Sequence, residues 1–224
     1  ENTDEKIIVS DTVFSMDGDI TDIYGLFSIA KESDAVLYLD EAHASGVFGE
    51  KGEGLASNLT YDNLITMGTF SKALGSYGAY IACSREIRKY LINKCQTFIY
   101  STALPPSVFG AIYASIKLIQ TAEFSEKRAK LLKNAEKLRT EIKKMGFDAG
   151  NSQSPIIPVI IGDSKKTLRF SQLFMDEGIM IPAIRPPTVP EETARLRISL
   201  NSEHSENDIS RLLSTMHRSL KQKH

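Results

Sequence analysis

Short apolar runs alternate with amphipathic stretches through the first half of the chain. Ile7-Ile8-Val9-Ser10 reads as a strand that runs into Val13-Phe14-Ser15-Met16-Asp17-Gly18-Asp19, a polar turn built around a glycine. Thr21 offers an N-cap to a helix over 22–31 whose apolar face is Ile23, Leu26, Phe27 and Ala30. A strand over 35–39 follows, then a glycine-rich loop over 46–54. Next come a strand over 64–68, another over 79–83 and a short helix over 85–93. Such β-α-β alternation predicts an α/β sheet with ligand chemistry at one edge.

The second half begins with Pro105 and Pro106 at the start of an apolar helix over 107–121. A first turn tolerates proline because its missing N–H had no partner there. Phe109, Ile112, Ile116 and Ile119 give this helix a stripe expected to be buried. A longer helix over 123–145 repeats apolar residues at Phe124, Leu131, Ala135, Leu138, Ile142 and Met145 and stops at Gly146. Over so few turns that spacing predicts core packing, not a coiled coil. The domain boundary is expected near Gln120, dividing the chain into 1–120 and 121–224. Beyond it, 155–161 reads as a strand, 165–177 as a helix ended by Gly178, and 179–181 as extended. The stretch 195–200 alternates cleanly, with Leu196, Ile198 and Leu200 on one face. Arg195, Arg197 and Ser199 take the other face, so both arginines are expected at the surface. The last helix starts at Ser205, with Asp208 completing a capping-box variant, and turns Ile209, Leu212, Leu213, Met216 and Leu220 inward.

Composition narrows the classes. The 224 residues are 42% hydrophobic and 25% charged with a formal net charge of −1, which suits one or two packed domains. The near-zero charge and absence of a basic cluster argue against nucleic acid or an anionic membrane as the main partner. No apolar run approaches the ~20 residues of a membrane span. Residues 1–10 hold no basic or apolar leader pattern. Cys83 and Cys95 lack metal or redox spacing, so reduced thiols in a cytoplasmic protein, with no metal, are expected.

The chemistry gathers in two stretches. Thr66-Met67-Gly68-Thr69-Phe70-Ser71-Lys72-Ala73-Leu74-Gly75-Ser76-Tyr77-Gly78 places one lysine among hydroxyls and glycines just after a strand. A lysine so placed holds a phosphate as a point charge or forms an imine with a carbonyl cofactor. Upstream, Val36-Leu37-Tyr38-Leu39 ends in Asp40-Glu41-Ala42-His43-Ala44-Ser45-Gly46. A carboxylate and an imidazole at the C-terminal end of a buried strand lie where open α/β sheets bind ligands. Asp40 beside an imine-forming Lys72 matches what pyridoxal phosphate (PLP) requires. The carboxylate keeps the ring nitrogen protonated so that the ring accepts electrons.

These two motifs, with FIYSTALPPS at 98–107 and AIRPPTVPEETARLRIS at 183–199, resemble the α-oxoamine synthase family of fold-type I PLP enzymes. The resemblance runs from residue 13 to the last helix. It implies part of a large, mostly parallel PLP-binding domain followed by a smaller C-terminal α/β domain. It implies cofactor contacts from Lys72, Asp40, His43, Thr69, Ser71 and Ser15, with Lys72, His43 and Asp40 as the catalytic set. Thr102 is similar to a threonine that reaches the neighbouring subunit's cofactor phosphate, which implies a homodimer with shared sites. Arg185 is expected to hold a substrate carboxylate through its planar fork. The reaction implied is decarboxylative condensation of an amino acid with an acyl thioester on CoA or a carrier protein. The wording around Arg185 favours the branch that joins L-alanine to a pimeloyl group in biotin biosynthesis. Sister branches that use other amino acids share Asp40, His43 and Lys72. Members of the family usually carry glycine where Glu192 stands. They are also nearly twice as long, so the chain is expected to be the C-terminal portion of such an enzyme and inactive alone.

Overall fold

The computed structural model describes residues 5–221, with the side chains of 219–221 outside that description; Leu220, expected on the core face of the last helix, is among them. The chain divides into two compact units. Among the described residues, one comprises 5–13 and 21–126, the other 14–20 and 127–221.

The first unit is built on a four-stranded sheet in the order β1 (Ile7–Asp11), β2 (Val36–Asp40), β3 (Leu64–Thr69), β4 (Ala79–Cys83). β1, β2 and β3 run parallel and β4 returns antiparallel. Leu37 and Leu39 are fully buried on one face, packed with Ala30, Ala56 and Leu64 and flanked by Leu26 and Phe27 of α1 (Ile23–Glu32). Tyr61 closes this layer, its hydroxyl donating to the carbonyls of Ala30 and Ala35 while Phe27 meets its ring edge-on. Pleating puts Ile7, Val9 and Ile81 on the opposite face, where all three are exposed. α1 is capped by Asp22, whose carboxylate accepts the Gly25 N–H at 3.0 Å, and not by Thr21. Thr21 instead donates its hydroxyl to the Asp11 carbonyl, tying the helix entry to the end of β1.

α2 (Arg85–Lys94), the short α3 (Gln96–Ile99), which the sequence pattern did not indicate, and α4 (Pro106–Ile119) follow. In α4 only Ile112 of the expected stripe is buried; Ile116 and Ile119 are half-buried and Phe109 is 55% exposed. Periodicity identified the apolar stripe, but a stripe is buried only where another element covers it.

The second unit packs α5 (Ala122–Lys144), α6 (Ser164–Asp176) and α7 (Glu206–Lys221) with an antiparallel sheet. The strands β5 (Ile156–Gly162), β6 (Ala183–Ile184) and β7 (Ala194–Ser199) lie in the order β5-β7-β6. Leu138, Ile142, Ile157, Leu196, Phe174 and Met216 form its core. The extended stretch expected at 179–181 forms no strand; pairing begins at Ala183. Ser205 and Asp208 exchange the expected cap bonds at the start of α7.

Candidate active site

In the first unit β1, β2 and β3 end at one edge of the sheet, and the register sets Asp11 directly beside Asp40 and Asp40 beside Met67. Parallel strands in register turn these side chains to one face. Asp40 is half-buried, and its Oδ1 accepts the Ala42 N–H at 2.7 Å. Thr12 holds the Asp40 carbonyl from β1, its N–H at 2.9 Å and its hydroxyl at 3.1 Å.

The next residue, Glu41, is only 3% exposed, and its motif alone assigns it no role. Its Oε1 accepts the N–H groups of Leu55 (2.8 Å) and Ala56 (3.1 Å), pinning the far end of the glycine-rich loop. Burial pushes the Glu41 carboxyl up; the bonds from Leu55, Ala56 and Thr12 oppose that shift and the charge of Asp40 adds to it. A Cβ at Gly54 would overlap Glu41 Oε2, so the loop needs glycine there. The Glu41 carbonyl also accepts from Ala44 and Ser45, winding the turn that carries half-buried His43. Nothing in the sequence pattern separates Glu41 from Asp40. A charged residue this buried needs partners, and those lie fourteen and fifteen positions away.

The lysine loop closes on itself beyond β3. Phe70 N–H donates to the Gly78 carbonyl at 2.9 Å, Ser76 N–H to the Phe70 carbonyl at 2.7 Å, and Gly75 N–H to the Lys72 carbonyl at 3.0 Å. Gly75 and Gly78 take φ of +60° and +99°, which favour glycine. The Thr69 hydroxyl donates to the Gly78 carbonyl at 2.9 Å and pairs with the Ser71 hydroxyl at 2.7 Å, so both hydroxyls brace the loop. Lys72 is exposed at its tip. The Asp11 carboxyl is pushed up by burial and by Asp40, and Lys72 opposes that shift. Asp11, at the end of β1, therefore feels both the end of β2 and the loop that follows β3. Tyr80 links the two motifs: its hydroxyl pairs with Ser45 at 3.1 Å, and it crosses Gly68, where a Cβ would collide with its ring.

Asp40, His43, Thr69, Ser71 and Lys72 thus come together in the first unit. Thr102 is exposed in that same unit, between α3 and α4. Ser15 and Arg185 belong to the second unit. Arg185 is exposed at the start of a turn in which its carbonyl accepts from Thr188.

The β7 arginines correct the sequence reading, which put both at the surface. Arg195 is 5% exposed and ion-paired with Asp17. Arg197 is half-buried; its Nε donates to the Ser15 carbonyl at 2.6 Å and its Nη1 to Ser199 Oγ at 2.7 Å. The alternation was right, but the segment 14–20 belongs to this unit and supplies both arginines with acceptors. Burial lowers the Arg197 pKa, and no carboxylate among the described residues pairs with it. It is a second candidate for a carboxylate ligand.

Among the described residues no group of His, Cys, Asp and Glu is arranged to hold a metal ion, and no helix is long and apolar enough to cross a membrane.

Known proteins resemble this chain in sequence and in fold. The 8-amino-7-oxononanoate synthase of Trichlorobacter lovleyi is 42% identical over 95% of this chain and 55% of its own. A Magnetococcus marinus protein, provisionally given the same name, is 49% identical over 97% of this chain and 54% of its own. The chain spans about half the length of these curated relatives. Among solved structures, a serine palmitoyltransferase from S. paucimobilis with a bound PLP–myriocin adduct superposes with a TM-score of 0.89 at 30% identity, covering 97% of this chain and 55% of that one. The 8-amino-7-oxononanoate synthase of Francisella tularensis superposes at 0.84 with 28% identity, covering 99% and 65%. The fold is therefore that of the fold-type I PLP-dependent enzymes. The pattern of class I and II aminotransferases matches residues 1–216, and the chain belongs to that family.

Proposed function

We propose that this chain carries the cofactor-binding edge of an α-oxoamine synthase that condenses L-alanine with a pimeloyl thioester to 8-amino-7-oxononanoate. The observation that carries the reading is the convergence of Asp40 and Lys72 at the C-terminal edge of a parallel sheet, where the Asp11 carboxyl feels both charges. The residues fit PLP: a carboxylate for its ring nitrogen, a primary amine for its aldehyde, and loop hydroxyls with glycine backbone for its phosphate. When bound, PLP supplies an electron sink for charge at the amino acid's α-carbon.

The protein's own groups do the rest. Asp40, fixed by Ala42 N–H, holds its charge toward the ring nitrogen. His43 would hold the phenolic oxygen, and Ser15 and Ser71 would assist on the cofactor side. Thr69 serves the phosphate end, and Thr102 reaches the partner subunit's phosphate in a cytoplasmic homodimer. The Lys72 amine would take the α-proton of the amino acid. Arg185 or Arg197 grips the substrate carboxylate; Arg197 is favoured because its half-buried charge has no acidic partner among the described residues. A sister reaction with serine is the second reading, supported by the serine palmitoyltransferase likeness.

The test adds PLP to the purified chain, reduces with borohydride and maps the adduct. A pyridoxyl group on Lys72 is expected; labelling elsewhere, or none, overturns the assignment. Alanine, glycine or serine paired with different acyl thioesters then separates the branches. Labelling without turnover assigns the chain a cofactor-binding but incomplete catalytic unit.

A further inference from the structure

The second unit holds an ion pair, a buried guanidinium met by a half-exposed carboxylate, that the chemistry above does not use. Arg195 lies in the middle strand of the three-stranded sheet, paired in register with Ile160 and Ile184, and is almost fully buried. Its Nε donates to the Thr193 carbonyl at 3.0 Å and its Nη1 to Asp17 Oδ1. Asp17 stands two residues after Ser15, in a turn held from several sides. Gly18 N–H donates to the Phe14 carbonyl at 2.8 Å, the Gly18 carbonyl accepts from Gln153 N–H at 2.9 Å, and a Cβ at Gly18 would overlap the Ile156 carbonyl. The same turn presents the Ser15 carbonyl to Arg197 Nε at 2.6 Å.

Two arginines on one face of β7 thus grip one turn, one at its side-chain carboxylate and the other at its backbone. We propose that Arg195 is a positioning residue: its ion pair with Asp17 fixes the 14–18 turn, and that turn's Ser15 carbonyl aims the Arg197 guanidinium at the carboxylate of an amino-acid substrate. Burying a guanidinium is costly unless it is paired and hydrogen-bonded, so the pair has one geometry to satisfy, and the turn inherits it. With Nε held by Ser15 and Nη1 by Ser199, Arg197 keeps Nη2 and the second Nη1 hydrogen for a ligand. The specificity determinant is therefore built from two segments nearly two hundred residues apart in the chain. This inference rests on Arg197 being the carboxylate anchor.

The experiment uses the full chain loaded with PLP. L-alanine affinity is measured by equilibrium titration, and solvent exchange of the Arg197 Nε–H by side-chain NMR. Arg197→Gln tests the anchor and is expected to weaken L-alanine binding by about ten- to a hundredfold, the worth of a hydrogen bond to a charged group. Asp17→Asn tests the positioning; because Asp17 is half-exposed, this variant keeps the fold, which its thermal melt checks. Asp17→Asn is expected to weaken L-alanine binding about tenfold, to leave the borohydride-trapped Lys72 adduct at its wild-type yield, and to accelerate Nε–H exchange. Asp17→Glu is expected to recover most of the loss, whereas a merely structural role would lower stability without a selective change in amino-acid affinity. Wild-type exchange and affinity in Asp17→Asn overturn the proposal. An unchanged affinity in Arg197→Gln overturns the anchor reading alone, and the exchange arm then still decides whether Asp17 positions Arg197.

Discussion

The first unit hangs its functional charges from strand ends, while the second lays them along a strand. Asp40 and Lys72 sit beyond the last paired residues of β2 and β3 or at their limit, where the sheet stops covering side chains. They remain half-buried or exposed and available to a ligand. Arg195 and Arg197 sit within β7, where a side chain on the sheet's face is covered by whatever packs there. What packs there is the turn 14–20, distant in sequence and supplied between two elements of the other unit. A charge at a strand end is disposed by local geometry; a charge on a strand face depends on the whole fold.

The largest effect is expected from Lys72→Ala, which removes the exposed charge beyond β3. No borohydride-stable adduct is expected, and any turnover is expected to fall at least ~10²–10⁴-fold from lost proton transfer alone. Retention of the adduct would show that the lysine is not the attachment point. Next is the loop that Glu41 pins. Gly54→Ala must overcome both φ of +103° and the collision with Glu41, and is expected to destabilise by more than about 2 kcal/mol in urea unfolding.

The buried Glu41 carboxyl also leaves a signature in pH. Its pKa is raised in the folded state from an ordinary 4.5, so between those two values the folded protein binds more protons than the unfolded chain. The associated stability is complete below pH 4.5 and is lost as pH rises through the folded pKa. Glu41→Gln keeps an oxygen for Leu55 and Ala56, and its urea-derived stability is expected to decline less between pH 4.5 and 8. Equal slopes in the two proteins would assign the pH dependence to other groups.

The smallest expected effect concerns a single backbone angle. Glu192 takes φ of +61°, in the left-handed region that favours glycine. Glu192→Gly is expected to raise stability by roughly 0.5–1 kcal/mol, relief of the Cβ clash outweighing the added chain entropy. A lower melting temperature would mean that the glutamate side chain contributes more than its strain costs.

Much of the fold could be read from periodicity because strands and long helices advertise their buried face locally. The β2 run, the α5 heptads and the Ser205–Asp208 cap all appear close to where the sequence pattern put them. The first cap was displaced by one residue, from Thr21 to Asp22. Both side chains are able to cap, and the Thr21 hydroxyl was already engaged with the Asp11 carbonyl across the turn. Phe109 failed for a different reason: hydrophobic spacing says which face is apolar, not whether a neighbour covers it.

The α/β alternation and the prominence of Asp40, His43 and Lys72 are local properties of the chain, because residues following short apolar strands must emerge at a sheet edge. Long-range packing, in contrast, makes Glu41 a buried structural carboxylate, pairs Arg195 with Asp17, and leaves Arg197 with a charge no described carboxylate answers. Each of those outcomes depends on desolvation and on partners far along the chain, and neither is encoded in the identity or spacing of the neighbouring residues.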